Sequence, residues 1–124
     1  MKQEQVDLFE KVHTQLEGLH TEISALSKKS QNDALNKFKL KFVNQILVEA
    51  NIVLSDKYKP FNDFDIFSDD DLPTTSDVAM MLSQYINCLE KLRTDNVTVY
   101  NYQWYWLIDG KRSEIRTFRP LKTK

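Results

Sequence analysis

The first apolar side chains recur at alternating spacings of three and four residues along the chain. The positions in this pattern are Phe9, Val12, Leu16, Leu19, Ile23 and Leu26. Because positions three and four apart share one face of a helix, the spacing predicts an amphipathic helix over about residues 5–27 with a narrow apolar seam. Such a seam needs another helix alongside it, either from the same chain or from a second copy.

A second apolar pattern predicts a helix over about residues 33–54, capped at its start by Asn32 or Asp33. Its main stripe consists of Leu35, Phe38, Phe42, Ile46, Ala50 and Val53. A second apolar row consists of Val43, Leu47 and Leu54. A helix that is apolar on most sides is typical of the centre of a core. We therefore expect this helix to be the central one and its main stripe to be buried.

The periodicity stops between residues 57 and 75, and this segment predicts an irregular, acidic connection. The apolar side chains expected to pin it onto the helices are Phe61, Phe64, Ile66 and Phe67. Its five aspartates are Asp63, Asp65, Asp69, Asp70 and Asp71. They do not fit a calcium-binding loop, because a loop counted from Asp63 has Ser68 in place of the required glycine and Thr74 in place of the glutamate. The aspartates are a candidate surface for a basic protein partner, and a solvated loop is the alternative.

A third helix, over about residues 77–94, is predicted to follow a cap at Thr75 or Ser76. From residue 97 the residues are β-branched and aromatic, which predicts a strand over 97–108. Asp109-Gly110 is typical of a two-residue hairpin turn, so a return strand follows and places Trp104 opposite Ile115. The predicted fold class is α+β in a single domain of 124 residues. It is mostly helical, with a three-helix core and a C-terminal antiparallel β-hairpin over 97–119.

Composition narrows the class of protein further. The single cysteine, Cys88, leaves no intramolecular disulfide and favours a reducing compartment. The sequence contains no run of about 18 apolar residues that could cross a membrane. Its first residues also lack the apolar stretch of a secretory signal. We expect a soluble, cytoplasmic protein that has no membrane partner.

Charge is segregated along the chain, although the net charge is only −1. Residues 57–96 hold four basic and eight acidic side chains, whereas residues 97–124 hold six basic and two acidic ones. The basic end coincides with the aromatic hairpin. Single-strand nucleic-acid binders combine aromatic platforms for bases with cations for phosphates. The candidates for this role are Tyr102, Trp104, Trp106, Arg112, Arg116 and Arg119. The alternative is that the aromatic side chains pack on the helices, since a two-stranded hairpin is marginally stable alone.

Residues with catalytic potential are few and poorly spaced in the sequence. His13, Glu17 and His20 share one side of the first helix, but the zinc motif His-Glu-x-x-His needs histidines four apart and these are seven apart. Cys88 lies beside the apolar stripe of the third helix, where a small apolar residue is the usual explanation. We therefore expect no enzyme, no metal and no cofactor.

The resulting hypothesis is a non-catalytic protein–protein interaction module, such as a small adaptor, inhibitor or regulatory subunit. Its partner is another protein or a second copy of the chain, and self-association would use the seam of the first helix. A nucleic-acid-binding accessory protein that uses the hairpin is the alternative. A small enzyme with a carboxylate or metal site ranks third.

Overall fold

The structure, a computed structural model, describes residues 1–120 and consists of three helices followed by a three-stranded antiparallel sheet. The helices are α1 (Gln3–Ser30), α2 (Lys37–Tyr58) and α3 (Thr75–Asp95). The strands, β1 (Val97–Tyr100), β2 (Gln103–Ile108) and β3 (Lys111–Thr117), are hydrogen-bonded in the order β1-β2-β3. The predicted α+β fold class is confirmed. No helix in this part of the chain combines the length and the apolar character needed to cross a membrane.

The seam of α1 is covered by other elements of the same chain. Its fully buried members are Phe9, Val12, Leu16 and Ile23. They pack most extensively against α3 and to a lesser extent against α2. α1 is longer than the predicted range of 5–27 because residues 28–30 continue the helix. Lys28 and Lys29 lie in its last turn, where the helix dipole favours cations.

The prediction that α2 is the central helix was wrong, and of its predicted main stripe only Leu35, Ala50 and Val53 are buried. The residues that α2 buries are Leu40, Val43, Leu47, Ala50, Val53 and Leu54. Phe38 is 72% exposed and Phe42 is 41% exposed. A helix with apolar residues on most sides carries two overlapping stripes, and the pattern alone does not determine which of them faces the core.

α2 begins four residues later than the predicted start at residue 33. Its cap is Asn36, whose Oδ1 accepts a hydrogen bond from the backbone N–H of Lys39 at 2.8 Å. The residues before this cap are held in an extended conformation, because the N–H of Leu35 donates to the carbonyl of Pro73 at 2.9 Å. α2 ends at Tyr58 instead of the predicted residue 54, and the added turn starts at Ser55, which has a φ of 55°.

α3 begins two residues before its predicted start at residue 77. Thr74 is the cap: its Oγ1 accepts from the N–H of Asp77 at 3.1 Å, and the Asp77 carboxylate accepts from the N–H of Thr74 at 3.3 Å. This reciprocal pair is a capping box. The predicted caps, Thr75 and Ser76, already belong to the helix.

The single strand predicted over 97–108 is two strands joined by a tight turn. Asn101 and Tyr102 both have positive φ, 49° and 64°, so β1 folds back onto β2 and Val97 lies opposite Trp106. Asparagine adopts this conformation readily, but tyrosine does so rarely, and the pair is a weak turn signal in a sequence. The extra strand strengthens a sheet that would be marginal with two strands.

The predicted turn at Asp109-Gly110 is present, and Ile108 lies opposite Lys111. Beyond it the register shifts between Leu107 and Tyr105, so that Trp104 lies opposite Thr117 and not opposite Ile115. The cause is a β-bulge in β3. The Oγ of Ser113 donates to the carbonyl of Trp106 at 2.7 Å and accepts from the N–H of Ile115 at 3.1 Å, which satisfies the displaced backbone groups.

Candidate functional site

The sheet has an inner face toward the helices and an outer face toward solvent. Trp106 belongs to the inner face and is fully buried. Its indole Nε1 donates to Oε1 of Glu10 at 2.8 Å, and its ring meets the ring of Phe9 edge-on at a centroid distance of 4.8 Å. Trp106 therefore anchors the sheet on α1 and leaves no ring face open to a nucleic-acid base.

Arg112 lies on the outer face among aromatic side chains. Its guanidinium carbon is 4.1 Å from the ring centroid of Tyr100 and 5.4 Å from that of Tyr105. Such cation–π contacts orient a cation that remains accessible to water. Arg116 shares this face, opposite Tyr105, and its guanidinium donates a hydrogen bond to Oε1 of Gln103.

The remaining residues of the aromatic and basic set come together at one end of the sheet. A cleft of about 450 Å³ lies there, around the end of the sheet, and Glu10 of α1 is part of its wall. Its lining includes Glu10, Tyr102, Trp104, Arg116, Phe118 and Arg119. Tyr102 is 99% exposed and Phe118 is 76% exposed, whereas Trp104 is half-buried. We call this feature the aromatic cleft.

Glu10, like Phe118, is a residue of the aromatic cleft that the sequence did not suggest. Its Oε1 accepts from Nε1 of Trp106 and also from Oγ1 of Thr117 at 2.9 Å. Two donors on one oxygen fix the carboxylate against the sheet. In the sequence it is one of several glutamates on the polar side of α1, and nothing in the helical pattern distinguishes it.

The aspartates of the acidic connection lie along the surface instead of forming one site. All five are exposed. Asp65 forms an ion pair with Lys59, and Asp69–Asp71 form a short 3₁₀ turn. Asp69 borders a groove that is also lined by Lys37 and Lys41 of α2. Neighbouring lysines therefore compensate part of the negative charge that was predicted to attract a basic partner.

The connection itself is held to α2 by amide hydrogen bonds. The side chain of Asn44 donates to the carbonyl of Phe67 at 2.9 Å and accepts from its N–H at 3.0 Å. The side chain of Asn51 donates to the carbonyl of Asp65 at 2.9 Å. Of the predicted apolar pins, Phe64 and Phe67 pack against the core, whereas Phe61 and Ile66 are exposed.

α2 carries a row of exposed apolar side chains on the side opposite its core contacts. The row consists of Phe38, Phe42, Val48 and Ile52, and we call it the α2 patch. At about 100° per residue, these positions fall within a sector of about 120° and span about 21 Å along the helix axis. The rings of Phe38 and Phe42 stack edge-to-face at a centroid distance of 5.0 Å. Isolated exposed apolar residues are ordinary, but an aligned row of large ones marks an interaction surface.

A group of charged side chains is buried between α1 and α3. Oε1 of Glu90 lies 2.9 Å from Nε2 of His13 and 3.0 Å from Nη1 of Arg93. Nδ1 of His13 lies 3.0 Å from a carboxylate oxygen of Glu17. The imidazole and the guanidinium of Arg93 also lie against the ring of Phe9.

This buried cluster holds the helices together and is enclosed by the core. The side chains of His13, Glu90 and Arg93 are all at most 7% exposed. A His–Glu pair resembles the base and orienting group of many enzymes, but a substrate needs access to the imidazole. His13 and Glu90 are 77 positions apart, so no local pattern in the sequence predicts their contact.

Two tyrosines connect α2 to α3 and remain neutral over a wide pH range. The hydroxyl of Tyr85 donates to Oδ1 of Asn51 at 2.6 Å, and burial raises the pKa of Tyr85 to about 12. The hydroxyl of Tyr58 donates to Oδ2 of Asp95 at 2.7 Å. Burial, followed by this hydrogen bond and the charge of Asp95, raises the pKa of Tyr58 to about 12. Such groups serve as hydrogen-bond donors and are poor general bases near neutral pH.

Within residues 1–120, no three His, Cys, Asp or Glu side chains are grouped so that they could hold a metal ion. His13 points into the core, whereas Glu17 and His20 line a small surface cleft.

The described surface offers two features suited to recognition, the α2 patch and the aromatic cleft. Compared with protein-family models, curated proteins and solved structures, the chain matches none of them.

Proposed function

We propose that the chain is a non-catalytic protein-interaction module that self-associates through α2. The observation that carries this proposal is the α2 patch, whose four side chains are between 41% and 72% exposed. Burying water-exposed apolar surface against a partner is favourable by about 25 cal/mol of free energy per Å². The seam of α1 is buried within the chain, so we assign self-association to α2 instead of the first helix.

A second copy of α2, running antiparallel, is the partner that fits the patch best. With a two-fold axis at Gln45, Phe38 lies opposite Ile52 of the second copy, because each is seven positions from Gln45 in the sequence. By the same count Phe42 lies opposite Val48. The aromatic end of each patch thus meets the aliphatic end of the other, as an isologous interface requires.

The charges around the patch follow the same symmetry. Lys41 and Glu49 are each four positions from Gln45, on opposite sides of it. In the antiparallel pair the lysine of one copy faces the glutamate of the other, twice per dimer. Glu49 already lies 3.5 Å from Lys11 of its own chain, but this pair is partly exposed and contributes little that would oppose the new contact.

The size of the patch predicts a weak dimer. A standard interface buries about 800 Å² on each partner, and a helix face about 21 Å long supplies less than this. We therefore expect a dissociation constant on the order of micromolar or weaker. Dimerisation then depends on the local concentration of the chain, which is typical of a regulatory contact.

Sedimentation velocity over a range of protein concentrations tests the proposal. We expect a concentration-dependent dimer for the wild-type chain and a monomer for Phe38→Ser and Ile52→Ser. The matched control is Met80→Ser, since Met80 is a 52% exposed apolar residue on α3, outside the patch. It is expected to dimerise like the wild type.

Charge reversal tests the antiparallel arrangement separately. Lys41→Glu is expected to weaken the dimer because it places two glutamates opposite each other. Combining it with Glu49→Lys is expected to restore the affinity. A wild-type chain that stays monomeric at the highest concentrations reached would refute self-association, and a double variant as weak as Lys41→Glu would refute the register.

A further inference from the structure

We infer that the aromatic cleft binds a nucleoside phosphate, either as a free nucleotide or as one residue of a single strand. The cleft volume of about 450 Å³ lies within the range of small-ligand sites in proteins, about 300–1,000 Å³. Its wall combines three kinds of group: aromatic rings, a fixed carboxylate and two guanidinium groups. This site is distinct from the α2 patch and goes beyond the proposed protein contact.

The aromatic side chains supply stacking surfaces for a base. Trp104 is half-buried at the inner side of the cleft, whereas Tyr102 and Phe118 extend into solvent at its mouth. Every nucleobase has a flat apolar face that stacks on such rings. One half-buried ring and two exposed rings offer a base more than one surface on which to stack.

Tyr102 stands at a position where its own backbone conformation is unfavourable. Its φ of 64° is one that residues with a side chain rarely adopt, and glycine or asparagine is the usual choice there. A side chain that is 99% exposed contributes almost no packing to offset this strain. Strained positions of this kind are concentrated where a side chain meets a ligand.

Glu10 gives the cleft a preference among bases. Its Oε1 accepts from Trp106 and Thr117, so Oε2 is the oxygen left to accept from a ligand. A carboxylate oxygen favours a base edge on which N–H donors are adjacent and no acceptor intervenes. Guanine has this edge, with its ring N–H next to its amino group, whereas the N–H of uracil is flanked by two carbonyl oxygens. We therefore expect guanine to bind better than uracil.

Arg116 and Arg119 supply the phosphate contacts. Guanidinium groups bind phosphate oxygens in a two-point geometry that lysine cannot reproduce. Arg116 donates one hydrogen bond to Gln103, and its guanidinium has five N–H donors, so others remain for a ligand. Both arginines are exposed at the rim of the cleft, where a phosphate can remain partly solvated.

The first experiment measures binding of GMP, UMP and a short guanine-containing RNA to the full chain by calorimetry at low salt. We expect GMP to bind with a dissociation constant below about 1 mM. UMP is expected to bind about tenfold more weakly. If the RNA binds much more tightly than GMP and its affinity falls steeply with salt, the ligand of the cleft is one residue of a single strand. If GMP and the RNA bind with equal affinity, the ligand of the cleft is a free nucleotide.

Variants then locate the site. Arg119→Ala and Trp104→Leu are each expected to weaken GMP binding about tenfold or more. Arg112→Ala is the matched control, because Arg112 contacts Tyr100 and Tyr105 and is not part of the cleft lining. It is expected to leave the GMP dissociation constant unchanged. Phe38→Ser is also expected to bind GMP normally, which separates this inference from self-association.

Two results would overturn the inference. One is the absence of binding of GMP and of the RNA to the wild-type chain. The other is binding that survives Arg116→Ala and Arg119→Ala without loss of affinity. Circular dichroism monitors the fold of each variant. If Trp104→Leu does not fold, the exposed arginines still decide the outcome because their removal leaves the core intact.

Discussion

α1 and α2 lie side by side in one bundle, but they differ in what their apolar side chains contact. Phe9, Val12 and Leu16 of α1 are fully enclosed, whereas Phe38 and Ile52 of α2 face water. α1 lies between α2, α3 and the sheet, so its seam is covered along most of its length. α2 has core contacts on one side only. Apolar surface thus becomes core where an element has neighbours, and the remainder is available to a partner.

The largest expected effect distinguishes the two helices by stability. Phe9→Ala removes a ring that contacts Trp106, His13 and Arg93, and we expect it to lower the free energy of unfolding by about 3–5 kcal/mol. Phe38→Ala removes an exposed ring, and we expect a change within about 0.5 kcal/mol. Urea denaturation followed by circular dichroism, at a concentration where the chain is monomeric, measures both. A large loss for Phe38→Ala would mean that the α2 patch belongs to the core.

The next prediction concerns the charges that join α1 to α3. Glu90→Ala leaves His13 and Arg93 buried without the carboxylate that both contact, so we expect a loss of about 3–5 kcal/mol. Glu49→Ala is the matched control, because its pair with Lys11 is partly exposed and is worth about 0–1 kcal/mol. The same denaturation experiment compares the two glutamates. Equal losses of unfolding free energy would show that burial does not determine how much each glutamate contributes to stability.

The smallest predicted effect concerns the contacts between α2 and α3. Tyr85→Phe removes the hydrogen bond to Asn51, and we expect it to cost about 1 kcal/mol at neutral pH. The pKa of Tyr85 is about 12 in the folded chain against 10.0 for an unperturbed tyrosine, so the folded state keeps a proton that the unfolded state loses. Stability is therefore expected to fall as the pH rises from 10 toward 12. Tyr85→Phe is expected to reduce this fall, measured as unfolding free energy against pH. If the unfolding free energy of Tyr85→Phe falls with pH as much as that of the wild type, the fall does not come from Tyr85.

The features that could be predicted from the sequence are those with a strong local cause. The seam of α1 is narrow and stands against a polar background, so only one face could enter the core. The turn at Asp109-Gly110 was predictable because its residues match the required backbone angles. The candidate residues Tyr102, Trp104, Arg116 and Arg119 were identified by residue type, although their arrangement around one cleft was not.

The features that could not be predicted depend on contacts between distant parts of the chain. The burial of Phe38 and Phe42 was predicted wrongly because both apolar stripes of α2 satisfy helical periodicity. The turn at Asn101 and Tyr102 lacks the usual glycine, so the pairing of β1 with β2 has no local signal. Glu10 acquires its role only from Trp106 and Thr117, which are about a hundred positions away in the sequence. Local patterns carry no information about such pairings.

The bond between Glu10 and Trp106 also has a consequence for the order of folding. It joins the first helix to the sheet across 96 positions of sequence. Closing a loop of this length costs conformational entropy before any contact is gained. The helices can form early from local interactions, but the edge-on contact between Phe9 and Trp106 is made only when β2 arrives. We therefore expect the docking of the sheet onto α1 to be a late step of folding, which the fluorescence of the Trp106 indole reports in a chain whose other tryptophan, Trp104, is replaced.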